Sequence, residues 1–133
     1  KEISLVSNND KNKVNIKRSP EIIYGLRNFI GNAVKFSKTK VDIVLKSNEK
    51  NIEVIINDDG PGFPEDVRAI LGEPYIKSKS KEVSLNAGLG LGTFLGKTLL
   101  EKKFANLSFS QDKKLGGASV IISWSTNYLK FNV

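Results

Sequence analysis

Neither cysteine nor histidine occurs anywhere in the 133 residues of this chain. Without cysteine there is no disulfide and no thiolate metal site, a usage that fits a reducing cytoplasm. Without histidine there is no His-dependent triad, no histidine-bound zinc and no phosphohistidine on this stretch. Long apolar runs are missing too: none approaches the roughly 20 residues of a membrane span, and no signal-peptide pattern opens the sequence. The sequence opens without a methionine or a helix cap, and residues 1–9 read like the middle of a longer chain. A domain cut from a larger protein is expected. Internal repeats and long linkers are absent.

What is present is ordinary for a soluble globular domain, with 39% hydrophobic and 26% charged residues. The length suits one domain over residues 1–133, with a single real core. The net charge of +7 raises the question of a nucleic-acid partner. The lysines, however, are scattered from end to end, and no basic stripe carries interleaved aromatics. Phe29, Phe94 and Phe104 stand at core-like spacing. A lysine-rich surface is the plain reading, a polyanionic ligand accounts for part of the charge, and no nucleic-acid partner is expected.

Residues 13–17 alternate and read as an edge strand. Ser19-Pro20-Glu21 is a helix start: a capping serine, a proline at the first helical position and an acid in the first turn. Residues 21–36 follow as a helix. At about 100° per residue, Ile22, Ile23, Leu26, Phe29, Ile30, Ala33, Val34 and Phe36 fill one arc. Asn28, Asn32 and Lys35 fall on the opposite side, flanked by Gly25 and Gly31, which would let something approach closely. Residues 41–45 and 52–56 alternate and form a hairpin through residues 47–50. A break follows at 58–64, a short helix at 65–71 ended by Gly72, and a polar, mobile run at 77–81. Residues 91–104 form a second amphipathic helix with Phe94, Leu95, Thr98 and Leu99 inward. Residues 106–110 and 118–124 are two further strands around Gly116-Gly117. This order predicts an α+β two-layer sandwich, with helices on one face of a mostly antiparallel sheet.

Three motifs carry chemistry. The first is Asn28-Phe-Ile-Gly-Asn32-Ala-Val-Lys35. Amides at i and i+4 stack on a helix, and their carbonyl oxygens are hard ligands that suit Mg²⁺. Lys35, one turn on, offers a charge to a phosphate oxygen. A solvated helix face is the plain alternative. The second is Asp58-Asp-Gly60-Pro-Gly62, directly after an apolar strand. A surface turn would explain it. An ionised aspartate also accepts from the exocyclic amine of adenine, and the glycines let backbone close round a flat base. Asp58, at the strand end, is better placed for this than Asp59. The acidic spacing and glutamate of a calcium loop are missing.

The third is Gly88-Leu-Gly90-Leu-Gly92. A P-loop ending in Gly96-Lys97-Thr98 would need glycine at 91, which is leucine. The dinucleotide fingerprint fails in both registers, because Thr93 and Leu95 stand where the last glycine belongs. What remains is a glycine run opening a helix, whose free N–H groups suit anionic oxygens. A flexible hinge is the alternative.

In this order the motifs resemble the N, G1 and G2 boxes of the GHKL ATP-binding superfamily, and within it the catalytic domain of bacterial sensor histidine kinases. The resemblance runs from about Pro20 to Trp124. Residues 20–28, 72–75 and 88–101 are similar to the redox-responsive RegB/PrrB-like branch. The resemblance implies a Bergerat fold binding ATP and Mg²⁺. It makes Asn32 the metal ligand, assisted by Asn28, and puts Lys35 on phosphate. It assigns Asp58 to the adenine amine, with Gly60 and Gly62 shaping that pocket and Ala118 or Ser119 lining it. Residues 63–87 become a lid carrying Tyr75 and Lys77, with Tyr75 near a position where many members have phenylalanine. Gly88, Leu89, Gly90, Leu91 and Gly92 contact the phosphates.

Hydrolysing members of the superfamily, such as gyrase, MutL and Hsp90, place a general-base glutamate four residues before the metal-binding asparagine. Here that position is Asn28, and an amide cannot take the proton. The resemblance therefore implies phosphoryl transfer to a histidine on a separate dimerisation domain and then to a response regulator. It implies a cytoplasmic domain without direct membrane contact, in a kinase anchored in the inner membrane. A degenerate partner-docking module and a protein-serine kinase of the anti-sigma-factor type are the alternatives.

Overall fold

A computed structural model describes residues 1–9, 19–63 and 90–125. The capping signal at Ser19 is used directly. Ser19 has extended φ/ψ of −140° and 149°, and its Oγ accepts from the Ile22 N–H at 3.2 Å. Such a cap satisfies one of the helix's orphan donors and is worth about 1 kcal/mol. Helix α1 then runs Pro20–Phe36 and closes where the Ser37 N–H donates to the Ala33 carbonyl.

Strands β2 (Lys40–Ser47) and β3 (Asn51–Asp58) form the hairpin the alternation predicts. Asn48 shapes its turn, its Oδ1 accepting from the amides of Lys50 and Asn51 at 2.7 and 2.8 Å. After α2 (Gly90–Lys102) come β4 (Asn106–Gln111) and β5 (Ala118–Ser125). Together with β1 (Glu2–Asn9) the strands make one sheet in the order β1-β2-β3-β5-β4. Among the described strands only the β1–β2 pair is parallel. The expected α+β sandwich is the observed one.

Alternation sends Val41, Ile43, Val54, Ile56, Val120, Ile122 and Trp124 to one face of the sheet, where they meet Phe29, Ala33 and Leu100 of the helices. Trp124 is fully buried, and its indole N–H is satisfied by the Lys103 carbonyl at 3.2 Å. Beside this core Phe63 stands edge-on to Phe109, ring centroids 5.8 Å apart.

The structure corrects two readings. The first described strand is β1 at residues 2–9, a stretch that the sequence pattern left without structure, while the strand expected at 13–17 lies outside the described residues. β1 is an edge strand whose Ile3 and Leu5 are 53% and 67% exposed, so the short alternation over residues 2–5 buries no apolar face. It exists through its parallel register with β2, from Glu2 against Lys40 to Asn9 against Ser47.

The second correction concerns the inward face of α2. Leu95, expected inside, is 46% exposed, whereas Leu100 is fully buried. Contact with α1 rotates the helix so that Thr93, Gly96 and Lys97 are buried along with Phe94 and Leu100. α2 also stops at Lys102, two residues early, because Phe104 takes a left-handed φ of 70°. The N–H groups of Phe104 and Ala105 then close the end on the carbonyls of Glu101 and Leu100. The short helix at 65–71, the polar run at 77–81 and most of the lid expected over 63–87 lie outside the described residues.

Candidate functional site

α1 and α2 lie close together because glycines face each other between them. A Cβ on Gly25 would collide with Leu100 Cγ, and one on Gly96 would come within 3.3 Å of Asn28 Cβ. Close approach was expected at Gly31 as well, but no described atom lies within 4 Å of a Cβ there. Gly25 alone fills that part.

This approach turns the polar stripe of α1 toward α2. Asn32 Nδ2 donates to Asn28 Oδ1 at 3.3 Å and to Thr93 Oγ1. The two amides expected to share a face therefore do so, and they are joined by a threonine that the motif reading passed over. Lys35 does not join them. It is exposed, with its ammonium 5.2 Å over the ring of Phe36.

The second cluster forms where β3 ends beside the start of β5. Asp58 is 5% exposed, and its Oδ1 accepts from the N–H groups of Gly60 at 2.8 Å and Ala118 at 3.1 Å. The Gly117 N–H donates to the Asp58 carbonyl at 3.1 Å. These bonds hold the carboxylate by one oxygen, and among the described residues nothing bonds Oδ2. The close fit demands glycine. A Cβ on Gly117 would collide with Asp58 Oδ1 and lie 2.6 Å from the Gly60 nitrogen, and one on Gly60 would collide with the Phe36 carbonyl. Gly62 has φ +80°, a conformation glycine adopts freely. Ala118 stands on the helix-facing side next to Asp58. Ser119, the other residue considered for this position, alternates to the opposite face.

Asp59, one residue on, does something different. Its Oδ1 accepts from the amides of Lys38, Thr39 and Lys40 at 2.8, 3.0 and 3.1 Å, and its Oδ2 from the Thr39 hydroxyl at 2.5 Å. The Thr39 hydroxyl first, and then these amides, hold its carboxyl well below the usual carboxylate range. Asp59 thus ties the end of β3 to the segment entering β2.

α2 begins at Gly90, so the amides of Gly90, Leu91 and Gly92 belong to its first turn, where no intrahelical acceptor exists. Gly88 and Leu89 of the same motif, with Tyr75 and Lys77, lie outside the described residues. Deeper in α2, the buried Lys97 pairs with Glu101 at 2.8 Å.

The fold and these clusters can be set against known proteins. Residues 18–127 match the model of a family described as histidine kinase-, DNA gyrase B-, and HSP90-like ATPase. The chain belongs to this family. Within it, this ATPase-family domain is 40% identical over 106 residues to the sensor histidine kinase RegB of Cereibacter sphaeroides, covering 76% of the chain and 23% of RegB. It is 26% identical over 117 residues to the sensor histidine kinase CpxA of Escherichia coli, covering 82% of the chain and 25% of CpxA. The domain thus spans about a quarter of the length of these relatives. Among solved structures, the ATP binding domain of PrrB from Mycobacterium tuberculosis superposes with a TM-score of 0.65 at 25% identity, over 93% of this chain and 79% of that one. The catalytic domain of histidine kinase ThkA superposes with a TM-score of 0.67 at 17% identity, over 93% and 80% of the two chains, a likeness of fold. The domain is homologous to the catalytic ATP-binding domains of sensor histidine kinases, with RegB among the relatives that the similarity at 20–28, 72–75 and 88–101 anticipated.

The motif reading missed Thr93 and Gly117. Thr93 was weighed only as the residue that breaks a dinucleotide fingerprint. Its signal was a polar pair, Thr93 and Lys97, at i and i+4, a spacing that puts both on one face of the helix. The described residues assemble no cluster of three or more His, Cys, Asp or Glu side chains. A cation here would rely on an amide oxygen and on ligands brought by its substrate. Asn32 fits that role: its amide nitrogen donates to Asn28 and Thr93, and among the described residues nothing bonds its carbonyl oxygen. No helix among the described residues is long and apolar enough to cross a membrane.

Proposed function

We propose that this chain is a single domain that binds Mg-ATP as the catalytic part of a two-component sensor histidine kinase. The whole enzyme would transfer the γ-phosphoryl to a histidine on a dimerisation domain and supply a response regulator from there. The observation that carries this reading is the clamp on Asp58. One carboxylate oxygen is fixed by two backbone amides, and the other, which nothing bonds among the described residues, would accept from the amine of adenine. Guanine has no amine at that position, so the same geometry favours adenine.

The remaining roles follow from placement and chemistry. Asn32 Oδ1 would ligate Mg²⁺, with Asn28 holding the Asn32 amide. When bound, Mg²⁺ supplies charge neutralisation on the phosphoryl oxygens. Lys35, exposed on the last turn of α1, can swing from Phe36 to a phosphate. The first-turn amides of α2 at Gly90–Gly92 would receive phosphate oxygens, together with Gly88 and Leu89. Tyr75 and Lys77 would act from a lid over residues 63–87. Asn28 accepts a hydrogen bond and has no basic group, so it would not activate water for hydrolysis. That favours transfer to a positioned acceptor over ATP hydrolysis. The full-length protein would be anchored in the inner membrane, with this domain in the cytoplasm.

Thermal unfolding with and without Mg-ATP tests the proposal. Ligand binding to the folded state should raise the melting temperature by mass action, by an amount equivalent to about 2.7 kcal/mol at a hundredfold excess over Kd. The isolated chain should bind Mg-ATP yet form no phosphohistidine, since it contains no histidine. No shift at millimolar ATP would favour a docking module instead. Acid-stable phosphate on the acceptor protein would favour a serine kinase.

A further inference from the structure

Asn28 and Asn32 form an i, i+4 amide pair that has two equivalent arrangements. Either side chain can donate to the other, and each arrangement satisfies one donor and one acceptor. Only one leaves Asn32 Oδ1 for a cation. In the structure Asn32 is the donor, and its second amide hydrogen goes to Thr93 Oγ1, on α2 and 61 residues away in sequence. Flipping the Asn32 amide would set its oxygen against Asn28 Oδ1 and turn an NH₂ group toward the place a cation would occupy. The Asn28 contact is long at 3.3 Å, so by itself it chooses weakly between the arrangements. Thr93 is 1% exposed and is held by the packing of α2 against α1 through Gly25 and Gly96. A helical threonine commonly directs its own hydroxyl hydrogen back along its helix, which leaves a lone pair for an outside donor.

We propose that Thr93 is a positioning residue for the metal site, and that its hydroxyl fixes the Asn32 amide with Oδ1 presented to Mg²⁺. The inference rests on the reading of this domain as a binder of Mg-ATP. In this role Thr93 would act through Asn32 and not by contact with metal or nucleotide. Partners of metal ligands commonly act in this way, by holding the ligating atom in one orientation.

Calorimetric titration of ATP, with Mg²⁺ and with EDTA, separates this role from simple packing. Thr93→Val keeps the shape and removes the acceptor, whereas Thr93→Ser keeps the hydroxyl. Thr93→Val should weaken Mg-ATP binding about tenfold, the lower end of what loss of an outer partner costs a metal site, and leave metal-free ATP binding unchanged. Thr93→Ser should bind both forms like the unaltered domain. Unaltered Mg-ATP binding by Thr93→Val would overturn the inference. So would an equal loss with and without metal, or an equal loss in Thr93→Ser. An unaltered domain that binds ATP in neither condition would overturn the proposed function and this inference with it. A further measurement needs no variant. In the metal-free domain both side-chain amide protons of Asn32 should exchange slowly by ¹⁵N NMR, and fast exchange of either would overturn the assignment.

Discussion

The carboxylates of Asp58 and Asp59 are neighbours in sequence and face different partners. Asp58 Oδ1 is held by the amides of Gly60 and Ala118, at the junction of β3 and β5. Asp59 is filled by the backbone of residues 38–40 and the Thr39 hydroxyl. Among the described residues nothing bonds the second oxygen of Asp58, whereas both oxygens of Asp59 are occupied by the fold itself.

Asp58→Asn separates these tasks. The asparagine oxygen can still accept from Gly60 and Ala118, but its NH₂ group would then face the amine of adenine, donor against donor. Loss of a hydrogen bond to a charged group is worth about 1.5–3 kcal/mol. ATP binding should therefore weaken roughly ten- to hundredfold while the melting temperature without ligand stays near that of the unaltered domain. Isothermal titration beside thermal melting checks both halves.

Asp59→Asn should act on stability and should depend on pH. The folded-state pKa of Asp59 is depressed, first by the Thr39 hydroxyl and then by the amides around it. A depressed pKa means that the stabilisation is complete above the unfolded aspartate value of about 3.9. It is lost as pH falls below that value toward the lower folded-state one. Urea midpoints of the two proteins should differ at pH 7, with the variant lower, and the gap should shrink at pH 3. A gap independent of pH would contradict the assignment.

Gly25 and Gly31 stand six positions apart on α1 and should respond oppositely to alanine. At Gly25 a methyl would collide with Leu100 and come within 3.0 Å of the Gly96 carbonyl, so Gly25→Ala should cost about 1–3 kcal/mol by overpacking. At Gly31 no described atom lies within 4 Å. Gly31→Ala should then stabilise by about 0.5–1 kcal/mol, the ordinary gain of alanine over glycine in a helix. Chemical denaturation of the two variants gives both signs.

Leu95 and Leu100 test which face of α2 is inward. Leu100→Ala opens a cavity in the core and should cost about 2–5 kcal/mol. Leu95→Ala, on the exposed side, should change stability by less than about 0.5 kcal/mol. The reverse order in denaturation midpoints would return the helix to the orientation that its apolar pattern suggested.

These contrasts mark the division between local and distant causes. Ser19-Pro20-Glu21 announces α1 because capping bonds and a fixed proline φ act within one turn. The β2–β3 hairpin is legible because alternation of period two and a short polar turn are local too. The order of the three glycine- and asparagine-bearing motifs carries the family, since each needs its residue types at set spacing. β1 escaped the reading because an exposed edge strand has no buried face of its own, and it depends on a partner about 38 residues away. The inward face of α2 escaped it because Gly25, Gly96 and Leu100 choose that face jointly. Asp59 and Thr93 stand in or beside two of the motifs, but no local spacing fixes their partners. Their roles come from residues 38–40 in one case and from Asn32 in the other. A hydrogen bond across the fold is fixed by packing, and packing is a property of the assembled chain. Residue types and their local spacing set the helices, the turns and the candidate ligands. Only the tertiary structure settled which carboxylate has an oxygen that nothing bonds among the described residues, and which threonine accepts from the Asn32 amide.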